Sequence, residues 1–232
     1  LREASPEEGG KSARSFIGEG NRQYLTGLNL GGRHIAILLD TSASMLADRL
    51  VQIIRLRNMN EETQRQAGKW TRSLATVNWL TAQLPIAGHY QVITFNTEAT
   101  FALQETAGEW LEVADQAGIE DVSDALRKLT PDGGTSLENA FLALQQLDPA
   151  PDNIFLVTDG LPTQGTAPPK GSKVSARDRQ KLFRRAIERL PSGVPVNIIL
   201  TPLEGDPMAA SELWRLAQNS GGSLLSPSRD WP

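Results

Sequence analysis

Three short segments of this sequence place oxygen-bearing side chains directly after or between apolar runs. The apolar run Ile35–Leu39 is followed by a carboxylate and two hydroxyls, and a second run, Ile154–Thr158, is followed by another carboxylate. Between them, the glycine turn Asp132–Ser136 presents a further hydroxyl. The five candidate ligands are Asp40, Ser42, Ser44, Thr135 and Asp159. Hard oxygen donors of this kind suit magnesium, calcium or manganese better than zinc or copper.

The two apolar runs predict where these side chains lie. Unbroken apolar runs of this length are typical of strands buried on both faces of a parallel sheet. Open α/β sheets bind ligands at the carboxyl ends of such strands. A simple helix-capping turn would also explain Asp40, Ser42 and Ser44, because Asp and Ser are favoured caps. That alternative does not account for Thr135 and Asp159 in two other segments.

The ordered pattern D-x-S-x-S, then T, then D resembles the metal-ion-dependent adhesion site (MIDAS) of the von Willebrand factor type A (vWA) domain. The resemblance runs from about Tyr24 to the C-terminus and departs from the family at Ala43, where Gly is usual. It implies that the five candidates bind Mg²⁺, with Mn²⁺ or Ca²⁺ possible, directly or through water. It also implies an open coordination position for an Asp or Glu of a protein partner.

A narrower resemblance is to bacterial membrane-anchored vWA proteins. The matching segments are Lys69-Trp70, Asp159–Thr163 and Gly205–Pro207. This likeness implies an extracytoplasmic, C-terminal domain tethered by an upstream membrane helix. No apolar run here approaches the ~18 residues of a membrane span, so we expect no membrane contact by this fragment itself.

Alternation of apolar strand and helix patterns predicts one α/β domain. We expect a three-layer, Rossmann-like vWA fold with helices on both faces of a six-stranded, mostly parallel sheet and Thr100–Gln104 as its antiparallel edge. Residues 1–22 are predicted to be a polar linker and residues 23–232 the vWA domain. Residues 46–65 read as an insertion beside the metal face.

Several local predictions accompany this fold. A helix is expected over Glu61–Leu84, and another over Trp110–Leu129 with a break near Gly118. The stripe within 46–54 either covers the core or forms a lid or partner groove. The long loop Leu161–Ser175 is expected to leave from the metal face. The apolar positions of that stripe are Leu46, Leu50, Ile53 and Ile54.

Composition narrows the function classes. The chain has no cysteine, which excludes disulfides and thiol catalysis, and its net charge of −4 argues against general nucleic-acid binding. Its charge is uneven. Residues 161–190 hold eight basic and two acidic side chains, whereas residues 97–124 hold eight acidic and no basic ones. These stretches are either solvated faces or surfaces that steer a charged partner.

An enzyme is the rival interpretation. Phosphatases that form an aspartyl-phosphate need a second acid two residues after the first, where this chain has Ser42. The only histidines, His34 and His89, each begin a predicted strand, at the end opposite Asp40. Glycine-rich nucleotide motifs are absent from the sequence. We therefore expect no catalytic or cofactor-binding residues and favour an interaction module. A metal-dependent hydrolase and a vWA scaffold with an unused site remain the alternatives.

Two further expectations concern side-chain environments. The tryptophans Trp70, Trp79, Trp110 and Trp214 are expected to pack in the core or at its edge. Asp40 is expected to lie on a loop outside the core, so that Asp40→Ala would remove metal binding and leave the fold intact.

Overall fold

Within the part of the chain that the structure describes, the central sheet contains seven strands and is mostly parallel. The computed structural model describes residues 27–169, 171, 173–228 and 231, so the predicted linker 1–22 lies outside the described residues. The strands are β1 (His34–Asp40), β2 (His89–Phe95), β3 (Ala99–Phe101), β4 (Leu111–Glu112), β5 (Asn153–Thr158), β6 (Val196–Leu200) and β7 (Leu224–Leu225). Their order is β3-β2-β1-β5-β6-β7, and β4 pairs with β2 beside β3.

Helices cover both faces of this sheet. They are α1 (Leu50–Arg57), α2 (Glu61–Arg65), α3 (Gly68–Gln83), α4 (Gln116–Lys128), α5 (Leu137–Ala143), α6 (Ala176–Ile187) and α7 (Ala209–Ser220). Alternate residues of β1 enter opposite layers: Ile35, Ile37 and Leu39 pack with α3 and α4, whereas Ala36 and Leu38 pack with α5, α6 and α7. The predicted three-layer α/β architecture is confirmed.

The three predicted core strands are buried throughout, as expected from their apolar runs. β1 pairs in parallel with β2 and β5, with Ile37 opposite both Val92 and Phe155. β3 is the predicted antiparallel edge, but it is shorter than predicted, since it begins one residue before Thr100 and ends at Phe101. The seventh strand is β4, which lies at the start of a stretch predicted to be helical.

The predicted break of a helix near Gly118 is wrong. α4 is continuous and begins at Gln116 with Asp115 as its N-cap, whose side chain accepts a hydrogen bond from the Ala117 amide. A Cβ at position 118 would lie 3.0 Å from the Asp115 Oδ2 atom. The glycine therefore leaves room for the cap and does not end the helix.

The predicted helix over Glu61–Leu84 is instead divided into α2 and α3 at Gln66 and Ala67. Asn60 caps α2 by accepting from the Thr63 amide, and Ala67 is buried at the bend. After the bend, α3 begins at Gly68, and the buried face of α3 includes Lys69 and Trp70.

The stripe within residues 46–54, for which two interpretations were open, covers the core only in part. Leu46 and Ile53 are buried, but Leu50 and Ile54 are exposed, as is Val51 beside them. Trp214 is half exposed and therefore does not lie in the core.

The other tryptophans pack as expected. Trp70 is fully buried, the ring of Trp79 meets that of Trp231 at 5.0 Å, and Trp110 packs against His34. Among the described residues, no helix combines the length and apolar character that a membrane crossing requires.

Candidate functional site

The two aspartates lie on either side of a change of direction in the sheet. From β1 the chain moves to β2 on one side, and it later returns to β5 on the other side of β1. Asp40 is the last residue of β1, and Asp159 directly follows β5. The carboxyl ends of strands at such a switch point border a crevice, which is the usual ligand position in open α/β sheets.

Asp40 is fully buried and belongs to β1, so the expectation of a loop position outside the core is wrong. Its carboxylate accepts hydrogen bonds from the Ser42 amide at 2.9 Å and from the Thr158 hydroxyl at 2.7 Å. Burial, and then the nearby charge of Asp159, raise the pKa of Asp40 to about 7, against the opposing effect of these bonds.

The two serine hydroxyls connect the β1 loop to Asp159. Ser42 Oγ lies 2.9 Å from Ser44 Oγ, and Ser44 Oγ donates to Asp159 Oδ1 at 3.1 Å. A 3-10 turn over Ala43–Leu46 follows Ser42 and fixes this spacing. Four of the five predicted residues, all except Thr135, thus meet at the carboxyl ends of β1 and β5. Asp40 is connected to the other three by its hydrogen bond from the Ser42 amide.

Thr135 is held beside this group through its backbone. Its amide donates to Thr163 Oγ1 at 2.9 Å, and its carbonyl accepts from the amides of Thr163 and Gln164. The preceding glycine turn is tied to the β1 loop, since the Ala43 amide donates to the Gly133 carbonyl. Gly133 has a φ of 76°, a conformation that favours glycine.

Lys69 is a member of the site that the sequence analysis missed. Its side chain is buried, and Nζ lies 2.7 Å from Asp159 Oδ2. The ammonium also donates to the Ser44 carbonyl at 3.1 Å and to the Ala47 carbonyl at 3.4 Å. One signal was available: position 69 continues the buried helical stripe of Ser73 and Leu80, where a lysine requires a partner.

A second ion pair supports the loop after β5. Arg179 Nη2 lies 2.8 Å from Asp206 Oδ2, which also accepts from the Leu161 amide at 2.8 Å. Both Arg179 nitrogens Nε and Nη2 donate to the Leu161 carbonyl. A Cβ at Gly160 would lie 2.7 Å from Asp206 Oδ2. Glycine at this position therefore allows the loop next to Asp159 to approach the Asp206 carboxylate closely.

The donor set fits a hard divalent cation. It consists of carboxylate and hydroxyl oxygens, which are the ligands that magnesium prefers. Within the described ranges, no group of three or more His, Cys, Asp or Glu side chains could hold a metal ion. A metal at this edge would therefore use hydroxyl ligands together with Asp40 and Asp159.

Both histidines lie at the strand ends opposite Asp40, as expected. His34 and His89 face each other in the β1–β2 register, and their rings stack at a centroid distance of 5.3 Å. Asp40 is at the other end of the same strand. Neither imidazole is therefore placed to act as a base beside Ser42 or Ser44.

Comparison with solved structures supports a vWA-type fold. A von Willebrand factor type A protein from Catenulispora acidiphila superposes with a TM-score of 0.58 at 18% identity, over 85% of this chain and 39% of that one. An aerotolerance-related membrane protein from Bacteroides fragilis gives 0.50 at 17% identity, over 85% and 92% of the two chains. The pilus adhesin SpaC from Lactobacillus rhamnosus GG gives 0.50 at 13% identity, over 87% and 28%.

The likeness is one of fold. No protein-family model matches the chain, and no curated protein matches it by sequence. The chain spans about two fifths of the Catenulispora protein and about a quarter of the adhesin. Its architecture, with a mostly parallel sheet, helices on both faces and one antiparallel edge, is that of vWA-type domains.

Proposed function

We propose that this domain is a protein-interaction module that binds an acidic side chain of a partner protein through a divalent cation. The proposed ligands are Asp40, Ser42, Ser44, Thr135 and Asp159, and the proposed metal is Mg²⁺, with Mn²⁺ or Ca²⁺ as substitutes. The observation that carries the proposal is the Ser42–Ser44–Asp159 hydrogen-bonded chain beside buried Asp40 at the switch point.

The residues have different parts in this proposal. Asp40 and Asp159 supply the negative charge, and the hydroxyls of Ser42, Ser44 and Thr135 supply neutral oxygens. The bound metal contributes positive charge that a partner carboxylate can neutralise. Thr158 keeps Asp40 oriented by donating to Oδ2, the oxygen that the Ser42 amide leaves free.

The surface next to the site favours an acidic partner with apolar side chains. α1 carries Arg55 and Arg57 and no acidic residue, and it exposes Leu50, Val51 and Ile54. The helix adjoins one of the site loops, because Arg57 Nη2 approaches Asp132 Oδ1 of the glycine turn at 3.7 Å. A partner that brings a carboxylate to this edge would also contact α1.

The enzyme alternative has less support. No imidazole lies at this edge of the sheet, and Ser42 occupies the position where an aspartyl-phosphate enzyme needs an acid. The structural neighbours include a pilus adhesin and a membrane protein. Activity towards phosphate esters in the presence of Mg²⁺ would favour a hydrolase instead.

We further propose an extracytoplasmic location in a bacterial, membrane-anchored protein. This proposal is supported by the fold likeness to a protein described as an aerotolerance-related membrane protein. In cells that express the full-length protein, externally added protease should cleave this domain once the outer membrane or cell wall is made permeable. Protection until the inner membrane is lysed would contradict this location.

Calorimetry of Mg²⁺ and Mn²⁺ binding tests the central proposal. Asp40→Asn should remove the binding heat, because it deletes a negative charge from the ligand set while keeping the side chain's size. The matched control is Asp152→Asn, at the opposite edge of the sheet, where Asp152 accepts from the Arg33 and His34 amides. Heats that are equal for Asp40→Asn and the wild-type protein would overturn the proposed site.

A further inference from the structure

The ammonium group of Lys69 is a buried cation within the candidate site. The Lys69 side chain is 1% exposed, and its ammonium has three oxygen acceptors: the Asp159 carboxylate and the carbonyls of Ser44 and Ala47. Three acceptors match the three N–H donors of an ammonium. This side chain is therefore fully satisfied without any other group.

The charge of Lys69 changes the electrostatics of the proposed ligand set. Asp40 and Asp159 together bring two negative charges, and the ammonium cancels one of them within the same desolvated region. Charges a few ångströms apart interact strongly where water is excluded. A divalent cation near Asp159 would meet repulsion from Lys69 and reduced attraction from the carboxylate.

The lysine also fixes the geometry around Asp159. Oδ2 bonds Lys69, which leaves Oδ1 to accept from Ser44. Through the Ser44 and Ala47 carbonyls, the same ammonium ties the turn after β1 to the first turn of α3. A lysine on α3 thus determines which oxygen of Asp159 faces the serines.

We propose that Lys69 is a positioning residue that acts as the resident counter-ion of this site. It holds Asp159 in place, neutralises one of the two carboxylates of the metal-free site and lowers the affinity for divalent cations. This inference rests on the proposed function, because it concerns the same ligand set. Lys69 itself is not a metal ligand in this arrangement.

The test is titration calorimetry with Mg²⁺ and with Mn²⁺ on the wild-type protein and on Lys69→Met and Lys69→Gln. Removing the ammonium should tighten binding by about tenfold or more, because one nearby positive charge is lost. Lys69→Gln keeps a hydrogen-bond donor for Asp159 and provides a second variant if Lys69→Met does not fold. Circular dichroism and thermal melts establish that each variant is folded.

The matched control is Arg72→Met, which removes a positive charge one turn further along α3. Arg72 lies 3.7 Å from Asp48 and is partly exposed. Its removal should change the affinity far less than the Lys69 variants do. Lys69→Arg, which retains the charge, should bind metal no more tightly than the wild-type protein.

The outcomes separate this inference from the proposed function. Tighter binding only in Lys69→Met or Lys69→Gln supports the counter-ion role, since a merely structural disturbance would weaken binding. Unchanged or weaker binding in folded Lys69 variants overturns it, and the metal site stands if Asp40→Asn still abolishes the wild-type heat. No heat in the wild-type protein or in either Lys69 variant overturns both.

Discussion

At the scale of single residues, the site places two carboxylates in a buried environment with unequal support. Asp159 bonds an ammonium and a hydroxyl, whereas the donors to Asp40 among the described residues are neutral groups of Ser42 and Thr158. The raised pKa of Asp40, about 7, follows from its burial and from the charge of Asp159. Ionisation of Asp40 therefore costs folding free energy in the metal-free protein.

This raised pKa predicts a pH dependence of stability. Between the unfolded value of 3.8 and about 7, the folded protein binds more protons at Asp40 than the unfolded chain does. The Asp40 contribution to the free energy of unfolding therefore falls as pH rises through this window. Urea denaturation in EDTA measures the free energy of unfolding of Asp40→Asn and of the wild-type protein. Between pH 5 and pH 8, the difference between the two values should shift in favour of Asp40→Asn by roughly 2 kcal/mol.

Comparison of the two proteins removes the contribution of all other titrating groups. A difference between Asp40→Asn and the wild-type protein that is equal at both pH values would contradict the raised pKa.

The clustering of the proposed ligands could be predicted from the sequence because each part follows an apolar run or a glycine turn. The helical stripe could have indicated that Lys69 is buried, but its partner could not be predicted, because Asp159 lies ninety positions away along the chain. The buried position of Asp40 was also missed. A carboxylate is normally placed outside the core unless its partners, here Thr158 and Ser42, are known.

At the scale of elements, α1 has one buried and one exposed apolar side. Ile53 is 6% exposed, whereas Val51 is 80% exposed and is flanked by exposed Leu50 and Ile54. Most exposed apolar residues occur singly and need no explanation. Here they lie on the helix whose end contacts the glycine turn of the site, which supports the proposed contact with a protein partner.

Two neighbouring substitutions on α1 separate packing from recognition. Ile53→Ala should lower the free energy of unfolding by about 2 kcal/mol or more, because it leaves a cavity in the core. Val51→Ala should change it by less than about 0.5 kcal/mol, since this side chain is exposed. Urea denaturation of both variants measures the difference, and equal losses would contradict the assigned faces of α1.

The short elements were the least predictable. β4 has two residues and is defined by pairing with His89 and Tyr90, a tertiary contact that no local pattern reveals. The bend between α2 and α3 likewise depends on the burial of Ala67 and Trp70 against the sheet. Long apolar runs such as Ile35–Leu39 were predictable because burial on both faces leaves no polar position.

At the scale of the whole molecule, the basic stretch begins beside the site. In α6, Arg179 bonds the Leu161 carbonyl and Asp206, next to the loop that carries Asp159. The predicted steering role also involved Lys170, which lies outside the described residues, and Lys173, which is exposed. An acidic partner approaching this edge would be attracted by the charge of the whole stretch.

Charge reversal tests this steering. Lys170→Glu/Lys173→Glu should slow the association of a labelled oligoglutamate peptide in Mg²⁺ and flatten its dependence on salt, as measured by stopped-flow fluorescence. The control is Arg127→Glu/Lys128→Glu at the end of α4, which changes the net charge equally. Association rates at low salt that match the wild-type rate would assign the basic stretch to solvation alone.

The strand order has a further consequence for how the chain reaches its native state. The hydrogen bond between Asp40 and Thr158 joins residues 118 positions apart. On the same side, β1 is paired with β5, which lies much further along the sequence. Parallel pairing at such separation closes long loops and is slow to form. After dilution from denaturant, helical circular dichroism should return before the native contacts around Asp40, so the site becomes a late reporter of folding.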